Sequence, residues 1–267
     1  MYEDLGRPPL SEPALRRALT EDPAGLWREV RVLAETESTN AVVADAARDG
    51  ADEGLVVVAE SQTAGRGRLG RTWVSPPRAG LMVSVLLRPQ VASPAEWGWL
   101  PLLTGLAVAG AVRAQAGLEA VVKWPNDVLV GERKLAGVLT EAVQPGAVVI
   151  GVGLNVSTTA AELPPDVAAT SIALEGGRTV DRSVLLRALL RSLADSYDAW
   201  QIDPAPPRDA YRAICATLGV RVRLDLPGGA TVTGVADEVD QDGRLVVDGT
   251  PYAAADVVHL RGSDLPG

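Results

Sequence analysis

Short apolar runs separated by polar turns recur along the first two thirds of the chain. Four of these runs are nearly continuous, which is typical of strands buried in a sheet. They are residues 31–34, 55–59, 81–88 and 147–156. Two further apolar runs flank Gly-Glu-Arg between residues 121 and 141, and Gly131 leads the turn of a predicted hairpin.

Five other segments have apolar residues at helical spacing. They are residues 11–19, 41–48, 96–116, 181–200 and 208–218. In the segment 181–200 the leucines fall on one face, as in a helix that packs against a core. Strands and helices in this order predict an α+β fold, in which helices pack against a mixed sheet.

The pattern changes near residue 217. Four strand-like segments, residues 220–226, 230–236, 244–247 and 257–260, are separated by Pro-Gly-Gly, Gln-Asp-Gly and Asp-Gly-Thr turns. Four or five strands in so few residues predict a small antiparallel barrel. We therefore expect three parts. They are an N-terminal extension (1–30), a main domain (31–216) and a C-terminal β domain (217–262).

Composition narrows the possible functions. The chain has 267 residues, a formal net charge of −9 and a pI near 4.8, so it lacks the basic face that a general nucleic-acid or membrane binder needs. Its single cysteine, Cys215, excludes a disulfide framework, and with its single histidine, His259, cannot complete a zinc site. No basic-then-apolar leader opens the chain, and residues 97–112 contain Pro101 and Thr104, so we expect a buried helix there. We predict a soluble cytoplasmic protein.

The most distinctive polar stretch, residues 60–73, reads E-S-Q-T-A-G-R-G-R-L-G-R-T-W. Residues 61–95 contain five arginines and no acidic residue. Arginine forks suit phosphate or carboxylate, while glycines let backbone N–H groups approach an anion and leave an empty loop flexible. The stretch is a site for a small anion, a solvated basic loop or an RGG-like nucleic-acid segment. The last needs repeats and basic surroundings, which the chain lacks.

Polar side chains also precede the predicted helix 41–48. Ser38, Thr39 and Asn40 are all residue types that favour the N-cap of a helix. They therefore either begin the helix, or aim hydroxyl and N–H groups at a ligand beyond its N-terminus, or do both.

The segment Trp124-Pro125-Asn126-Asp127 interrupts an apolar run. Proline cannot donate to a strand ladder, so we expect a bulge or bend that turns Asn126 and Asp127 out of the sheet, either as a simple turn or as part of a site. Downstream, Lys134 begins an apolar strand, where its ammonium needs an anionic partner. Gly137 marks a point where another group approaches the backbone closely.

The strand 147–156 carries two glycines and one amide on one face. Gly151, Gly153 and Asn155 are two residues apart, so all three face the same way. This stripe is either the floor of a cleft or a strand packed tightly by a helix.

Five motifs together carry a resemblance to a known family. They are S-T-N at 38–40, Q-T-A-G-R-G-R-L-G-R-T-W at 62–73, K-W-P-N-D at 123–127, K-L-A-G-V-L-T-E at 134–141 and G-V-G-L-N-V at 151–156. In this order they resemble the biotin-protein ligases over nearly the whole chain after residue 30. The resemblance implies a class II synthetase-like biotin/lipoate ligase catalytic domain with an SH3-like C-terminal barrel.

The resemblance also implies a two-step reaction. Biotin and ATP form biotinyl-5'-adenylate and pyrophosphate, and biotin then passes to a lysine of an acceptor such as the biotin carboxyl carrier domain of acyl-CoA carboxylases. ATP and biotin are substrates, and Mg²⁺ is expected with ATP because the phosphates need neutralising.

Residue roles are carried over from the family by motif. The implied catalytic residues are Lys134, Arg66 and Asp127, the last as a base for the acceptor lysine. The implied biotin contacts are Ser38, Thr39, Asn40, Gln62, Arg66, Gly67, Arg68, Lys134 and Gly137. The implied adenylate contacts are Arg68, Arg71, Trp73, Asn126 and Asn155.

One departure concerns DNA. Many bacterial relatives carry an N-terminal winged helix that represses biotin genes, and residues 1–30 are too few for its three helices. The expected protein is a ligase-only form that binds neither operator DNA nor membranes, and both a monomer and a weak homodimer fit the sequence. Two rival functions stay open: a lipoate or octanoate ligase or transferase of the same fold, and a non-catalytic RNA-binding module.

Overall fold

The computed structural model describes residues 6–22, 24–90, 93–143 and 146–260. Its helices are α1 (Glu12–Thr20), α2 (Thr39–Arg48), α3 (Trp99–Ala111), α4 (Arg182–Ile202) and α5 (Ala205–Ala213). Its strands are β1 (Glu29–Leu33), β2 (Leu55–Ala59), β3 (Gly80–Leu87), β4 (Ala120–Lys123), β5 (Asp127–Val130), β6 (Arg133–Val143), β7 (Ala147–Asn155), β8 (Arg221–Asp225), β9 (Thr231–Val239), β10 (Leu245–Val247), β11 (Thr250–Tyr252) and β12 (Asp256–His259).

Seven strands form one mixed sheet in the order β1-β2-β3-β7-β6-β5-β4, in which only β1 and β2 are parallel. Both faces of this sheet are covered. Val56 and Val58 of β2 pack in the core with α3 and α4, while Leu55 and Val57 pack in a second cluster with α2. Because successive side chains point to opposite faces, burial of both faces explains the continuous apolar runs. The predicted mixed sheet with helices is confirmed.

The N-terminal helix α1 packs against the main sheet. Leu15 and Leu19 are buried in the main core, and Glu12 Oε2 accepts a hydrogen bond from the backbone N–H of Val32 on β1 at 2.8 Å. Since β1 is an edge strand, this contact satisfies a backbone group that no neighbouring strand reaches. The predicted helix at 11–19 is thus present one residue later, behind its N-cap Ser11.

Of the predicted bulge or bend at Trp124-Pro125-Asn126-Asp127, the structure has a turn over 124–126, and it corrects the expectation that Asp127 leaves the sheet. These residues join two antiparallel strands, since Val121 pairs with Leu129 and Lys123 with Asp127. The Trp124–Pro125 peptide bond is cis, and Asp127 is the first residue of β5. The apolar run therefore reverses direction at the proline, and Asp127 stays in the sheet.

Helix α5 also differs from its prediction. It begins at Ala205, three residues before the predicted start, because prolines are tolerated in a first turn, where backbone N–H groups have no helical partner. It ends at Ala213 because the following residues bond to β4. Val122 N–H donates to Ile214 O at 3.0 Å, and Ala216 N–H donates to Val122 O at 2.8 Å.

The C-terminal residues form a five-stranded antiparallel sheet in the order β11-β10-β9-β8-β12. Strand β11 was not among the predicted segments. It contains Pro251 and lies at the edge, where a missing N–H breaks no ladder. The indole N–H groups of two main-domain tryptophans hold the turn between β9 and β10: Trp99 donates to Asp240 O at 3.1 Å and Trp124 donates to Gly243 O at 2.9 Å.

One helical stretch, Pro94–Ala116, is long and apolar enough to cross a membrane, but 61% of its most apolar window is buried inside the protein. Trp99 within it is fully buried. The stretch therefore has the burial of a core helix, as the sequence predicted. The predicted division into three domains stays a prediction, and residues 1–5, 261 and 262 lie outside the described residues.

Candidate active site

A cavity of about 410 Å³ lies between the main sheet, the loop after β2 and the C-terminal sheet. All of the predicted site residues line it. They are Ser38, Thr39, Asn40, Gln62, Arg66, Gly67, Arg68, Arg71, Trp73, Asn126, Asp127, Lys134, Gly137 and Asn155. The structure thus brings together motifs that are far apart in the sequence.

The N-terminus of α2 opens on this cavity. Ser38 is the N-cap residue, but its side chain makes no cap hydrogen bond. Gln62 Oε1 instead accepts from the backbone N–H of Thr39 at 2.7 Å and lies 3.0 Å from the Thr39 hydroxyl. The helix therefore begins at the predicted residues, with Ser38 at the N-cap position, but its first turn is capped from the loop after β2.

Asn40 connects α2 to the floor of the cavity. Its Nδ2 donates to Glu141 Oε2 at 2.6 Å, and its Oδ1 accepts from the Ser84 hydroxyl at 2.6 Å. A Cβ on Gly151 would lie 2.1 Å from Asn40 Oδ1, so only glycine fits at that position. At Gly151, the predicted glycine stripe is therefore a strand packed tightly by a helix, which is α2.

Ser84 on β3 supports the residues at the start of α2 and was not predicted from the sequence. Ser84 is fully buried on β3, and its hydroxyl also lies 2.7 Å from Thr39 Oγ1. A single hydroxyl inside an otherwise apolar strand was the signal, because a buried polar group needs hydrogen-bond partners.

Lys134 and Asp127 form an ion pair in the cavity wall. Lys134 Nζ lies 2.7 Å from Asp127 Oδ1, and both side chains are about one quarter exposed. The strand register brings them together, because Asp127 pairs with Gly137 while Lys134 pairs with Leu129 on the same hairpin. The predicted anionic partner of Lys134 is therefore Asp127. The Lys134 side chain also accounts for the close approach at Gly137, whose Cβ position is 3.2 Å from Lys134 Cε.

Trp73 lies over the second glycine of the stripe. A Cβ on Gly153 would lie 2.3 Å from the Trp73 ring, and Lys134 Nζ is 5.8 Å from the centre of the same indole. The cleft interpretation thus holds at Gly153, where the missing side chain leaves room for an aromatic ring on the strand. The ring and the ammonium are close enough for a cation–π interaction.

The glycine- and arginine-rich loop forms a roof over the cavity. It is closed on itself by Gly67 N–H, which donates to Arg71 O at 2.7 Å, and by Trp73 N–H, which donates to Gly65 O at 2.9 Å. A Cβ on Gly65 would lie 2.3 Å from Trp73 O, so glycine is required for this closure.

Each arginine of the roof contacts a different part of the cavity wall. Arg66 Nη1 lies 3.2 Å from Glu141 Oε1, Arg68 Nη1 donates to Asn126 Oδ1 at 3.1 Å, and Arg71 is paired with Asp256 of β12. Burial lowers the pKa of Arg68 from its usual value, while the charges of Asp256 and Asp127 act in the opposite direction. The three contacts attach the roof to β6, to the β4–β5 turn and to the C-terminal sheet.

Asn155 marks the opposite end of the cavity. It is 5% exposed, and its Nδ2 donates to Thr170 O at 2.9 Å. The segment that contains Thr170 is itself bonded to Lys134, since Lys134 N–H donates to Ala168 O at 2.8 Å and Thr170 N–H donates to Lys134 O at 2.9 Å. The backbone of residues 168–170 therefore bonds to both Asn155 and Lys134 and fixes their positions relative to each other.

Three further charged residues line the cavity and were not predicted as site residues: Lys123, Asp225 and Asp256. Burial, followed by the neighbouring charge of Lys134, lowers the pKa of Lys123. The charge of Lys123 in turn adds to burial in lowering the pKa of His259, whose Nε2 lies 3.2 Å from Thr217 Oγ1. Lys123 belongs to the K-W-P-N-D motif and was detectable there, whereas no sequence pattern indicated that β12 would reach the cavity.

In the part of the chain that the structure describes, no group of three or more His, Cys, Asp or Glu side chains is arranged to hold a metal ion. Positive charge in the cavity comes from lysine and arginine. The cavity chemistry therefore suits anionic ligands.

Comparison with known proteins gives consistent matches. The model of the biotin/lipoate A/B protein ligase family matches residues 32–155, which span β1 to β7. The biotin–acetyl-CoA-carboxylase ligase of Mycobacterium tuberculosis is 45% identical over 267 residues, covering 97% of this chain and 98% of that protein.

Two solved structures have a similar fold. The biotin protein ligase from Aquifex aeolicus in complex with biotin and ATP has a TM-score of 0.76 and 27% identity, covering 88% of this chain and 100% of that one. The biotin protein ligase from Leishmania major in complex with biotinyl-5-AMP has a TM-score of 0.59 and 27% identity, covering 88% of this chain and 99% of that one.

Proposed function

The chain belongs to the biotin/lipoate A/B protein ligase family, and we propose the roles that its cavity residues play in biotin chemistry. The protein activates biotin with ATP to biotinyl-5'-adenylate and transfers biotin to a lysine of a carboxylase carrier domain. The observation that supports the residue roles is the Lys134–Asp127 pair, about one quarter exposed, which faces the cavity between the arginine roof and the glycine-bearing strand β7.

In the first step, a carboxylate oxygen of biotin attacks the α-phosphorus of ATP. A P–O bond forms, the bond to the bridging oxygen breaks, and pyrophosphate leaves with the electron pair. Both reactants are anions, so fixed cations must stand where negative charge gathers. We assign this role to Lys134 and Arg66, which line the same cavity from the sheet and from the roof.

We assign biotin to the end of the cavity at α2. There Ser38 and Thr39 place a hydroxyl and a helix N-terminus at the wall, and Gln62 holds the first turn of the helix in position. The ureido group of biotin both donates and accepts hydrogen bonds, which such polar groups can match. Asn40, Gly137 and Gly67 complete this end, and Asn155, Asn126, Arg71 and Trp73 are assigned to the adenylate.

The roof protects the intermediate. A mixed anhydride hydrolyses readily, so the adenylate must be kept from water until the acceptor arrives. The roof can do this because its arginines contact three different walls of the cavity, and each contact can exchange for a contact to the ligand. Arg66 and Arg68 are assigned to hold the adenylate.

In the second step, the neutral amine of the acceptor lysine attacks the carbonyl carbon of the adenylate. The C–N bond forms, the C–O bond to phosphate breaks, and AMP leaves. The amide nitrogen releases its extra proton. We assign Asp127 as the proton acceptor, since it lines the cavity beside Lys134.

Mg²⁺ is proposed to enter with ATP, bound to its phosphates. The described residues offer no cluster of metal ligands, so the nucleotide itself would supply the coordinating oxygens. Bound in this way, Mg²⁺ would neutralise phosphate charge.

Biotin-dependent exchange of labelled pyrophosphate into ATP tests the first step. We expect exchange that requires biotin and that lipoate or octanoate does not support. Exchange with lipoate alone would point to the lipoate branch of the family, and folded protein with no exchange would contradict ATP-dependent activation.

We also propose that the protein binds no operator DNA. Its net charge of −9 supports this proposal, since the counterion-release contribution needs a basic surface. An electrophoretic shift of promoter DNA that persists at physiological salt would contradict it. A cytoplasmic location and a monomer or weak homodimer remain predictions from the sequence.

A further inference from the structure

A second cavity, of about 360 Å³, adjoins the first one at the K-W-P-N-D turn. It shares five wall residues with the first cavity: Arg68, Trp124, Pro125, Asn126 and Val138. The hydrogen bond between Arg68 Nη1 and Asn126 Oδ1, 3.1 Å long, forms part of this common wall. The two cavities are therefore neighbours, separated in part by two side chains that can move.

The second cavity runs from the surface to the K-W-P-N-D turn. At its mouth, Ala95 and Ala253 are exposed, and they come from the main domain and the C-terminal sheet respectively. At its inner end, Leu102, Trp124 and Val138 are buried. The walls are thus mainly apolar, and small residues keep the mouth open.

The cations of this cavity are already engaged. Arg244 lies 2.7 Å from Asp240 Oδ2 and 3.1 Å from Asp242 Oδ2, and Arg68 is bonded to Asn126. A triphosphate carries several negative charges, which Arg68 by itself does not balance, so it does not fit here. A long aliphatic side chain with one polar end fits better, because its methylene groups can lie along apolar walls.

We propose that the second cavity admits the acceptor lysine of the carrier domain to the adenylate. This inference rests on the proposed function. The lysine stem lies against Leu102, Pro101 and Trp124. Separation of Arg68 from Asn126 then lets the amine reach the adenylate while the roof stays over it.

A separate entrance for the lysine lets one site exclude water and still receive a protein substrate. If the acceptor entered through the roof, the adenylate would be exposed before each transfer. Entry beside the roof requires only the movement of Arg68 and Asn126, and the entering lysine fills the space that they leave. It also gives the C-terminal sheet a role, because Asp242, Gly243 and Ala253 form one side of the channel.

Tryptophan substitutions at the mouth test the channel. Ala95→Trp and Ala253→Trp should leave biotin-dependent pyrophosphate exchange within about twofold of the parent. Transfer to the carrier domain should fall at least about tenfold in kcat/KM, which corresponds to about 1.4 kcal/mol. Ala199→Trp, at an exposed position on α4 outside both cavities, is the matched control and should change neither step.

Two small nucleophiles show whether a loss of transfer comes from a blocked channel or from a lost docking surface for the carrier domain. Nα-acetyl-lysine amide, used at high concentration, has a full lysine side chain but no surface to dock, so its transfer should fall with that of the carrier domain. Hydroxylamine is small enough to pass the narrowed mouth and should react as in the parent.

The possible outcomes separate the channel from the activity. Normal carrier transfer in both tryptophan variants would overturn the channel. So would a loss of carrier transfer without a loss of acetyl-lysine transfer, because the mouth would then be a docking surface. A parallel loss of exchange would place the second cavity in the ATP site and overturn it too. Absence of exchange in the parent would contradict the proposed function instead.

Discussion

Two ion pairs of the molecule, Glu60–Arg182 and Lys134–Asp127, differ in how many of their hydrogen-bonding groups are already used. Glu60 and Arg182 lie 2.6 Å apart with 9% and 4% of their side chains exposed. Arg182 also donates to Pro8 O at 2.7 Å, and Glu60 accepts from Leu10 N–H at 2.6 Å. This pair ties the N-terminal segment, the end of β2 and the start of α4 together.

Lys134 and Asp127 lie almost as close, at 2.7 Å, but about one quarter of each side chain is exposed. The described hydrogen bonds of Lys134 other than this pair involve its backbone alone. Its ammonium therefore keeps donors for a ligand. We call the Glu60–Arg182 pair saturated, because both side chains also bond to backbone groups, and the Lys134–Asp127 pair unsaturated, because the ammonium has donors left. A saturated buried pair stabilises the fold, whereas an unsaturated pair in a cavity can exchange one anion for another.

Breaking the saturated pair should have the largest effect. Arg182→Met leaves the Glu60 carboxylate buried without a countercharge, so we expect the free energy of unfolding to fall by about 3–5 kcal/mol. Denaturant unfolding measures this loss. Arg191→Met, at an exposed position on the same helix, should change stability by less than about 0.5 kcal/mol.

The double variant Glu60→Leu with Arg182→Met completes the test. It removes the unpaired charge, so part of the lost stability should return even though Leu10 N–H loses an acceptor. A single variant as stable as the parent would show that the pair does not hold the fold.

Breaking the unsaturated pair should affect chemistry instead. Lys134→Met removes a cation from the point where charge gathers, and we expect biotin-dependent pyrophosphate exchange to fall by about 10²–10³, equivalent to about 2.7–4 kcal/mol. Stability should change little. Arg133→Met, the neighbouring residue on β6, pairs with Glu175 outside the cavity and is the matched control. Equal losses in both variants would argue against a role for Lys134 in the reaction.

The roof should show an intermediate effect. Arg66→Gly removes the contact to Glu141 and one of the proposed contacts to the adenylate, so synthesis should continue while the adenylate dissociates faster. Loss of one charged hydrogen bond is worth about 1.5 kcal/mol, which gives roughly a tenfold faster release. Filtration of protein with labelled adenylate measures the rate. Arg66→Lys keeps the charge and should release more slowly than the glycine variant. Unchanged retention in Arg66→Gly would show that the roof does not hold the intermediate.

The residues that line the cavity were predictable from the sequence, whereas their contacts with one another were not. The motifs around Lys134, Arg66 and Asn155 were recognisable locally, because each joins unusual residue types to an apolar strand. Their partners were not, because Asp127 was expected to turn out of the sheet, whereas it stays in β5 and meets Lys134 across the predicted hairpin at Gly131. Long-range pairing depends on tertiary structure, which periodicity does not encode.

The saturated pair shows the same limit. Glu60 was noted as the first residue of the arginine-rich stretch, and Arg182 as part of a helix, but nothing in either segment connects them across 122 positions. The fold class was predictable from the apolar runs because burial on two faces leaves a signal in every strand. The contribution of β12 to the cavity was not, since Asp256 and Val257 lie there only after two sheets have packed together.

A third ion pair, which lies outside both cavities, should give the smallest effect. Arg7 and Glu162 lie 2.7 Å apart with 23% and 31% of their side chains exposed. Hydrogen bonds from Arg7 and from Thr159 N–H lower the pKa of Glu162 from 4.5 to about 2. Because this pKa is lowered by folding, the stabilisation is complete above pH 4.5 and is lost as the pH falls toward 2.

Solvent screening limits this contribution to less than about 1 kcal/mol. Glu162→Gln should therefore be slightly less stable than the parent at pH 6, and the two curves of unfolding free energy against pH should converge near pH 2. Titration of other carboxylates cancels when the two proteins are compared at each pH. A difference that stays constant across this range would mean that Glu162 acts by packing and not by charge.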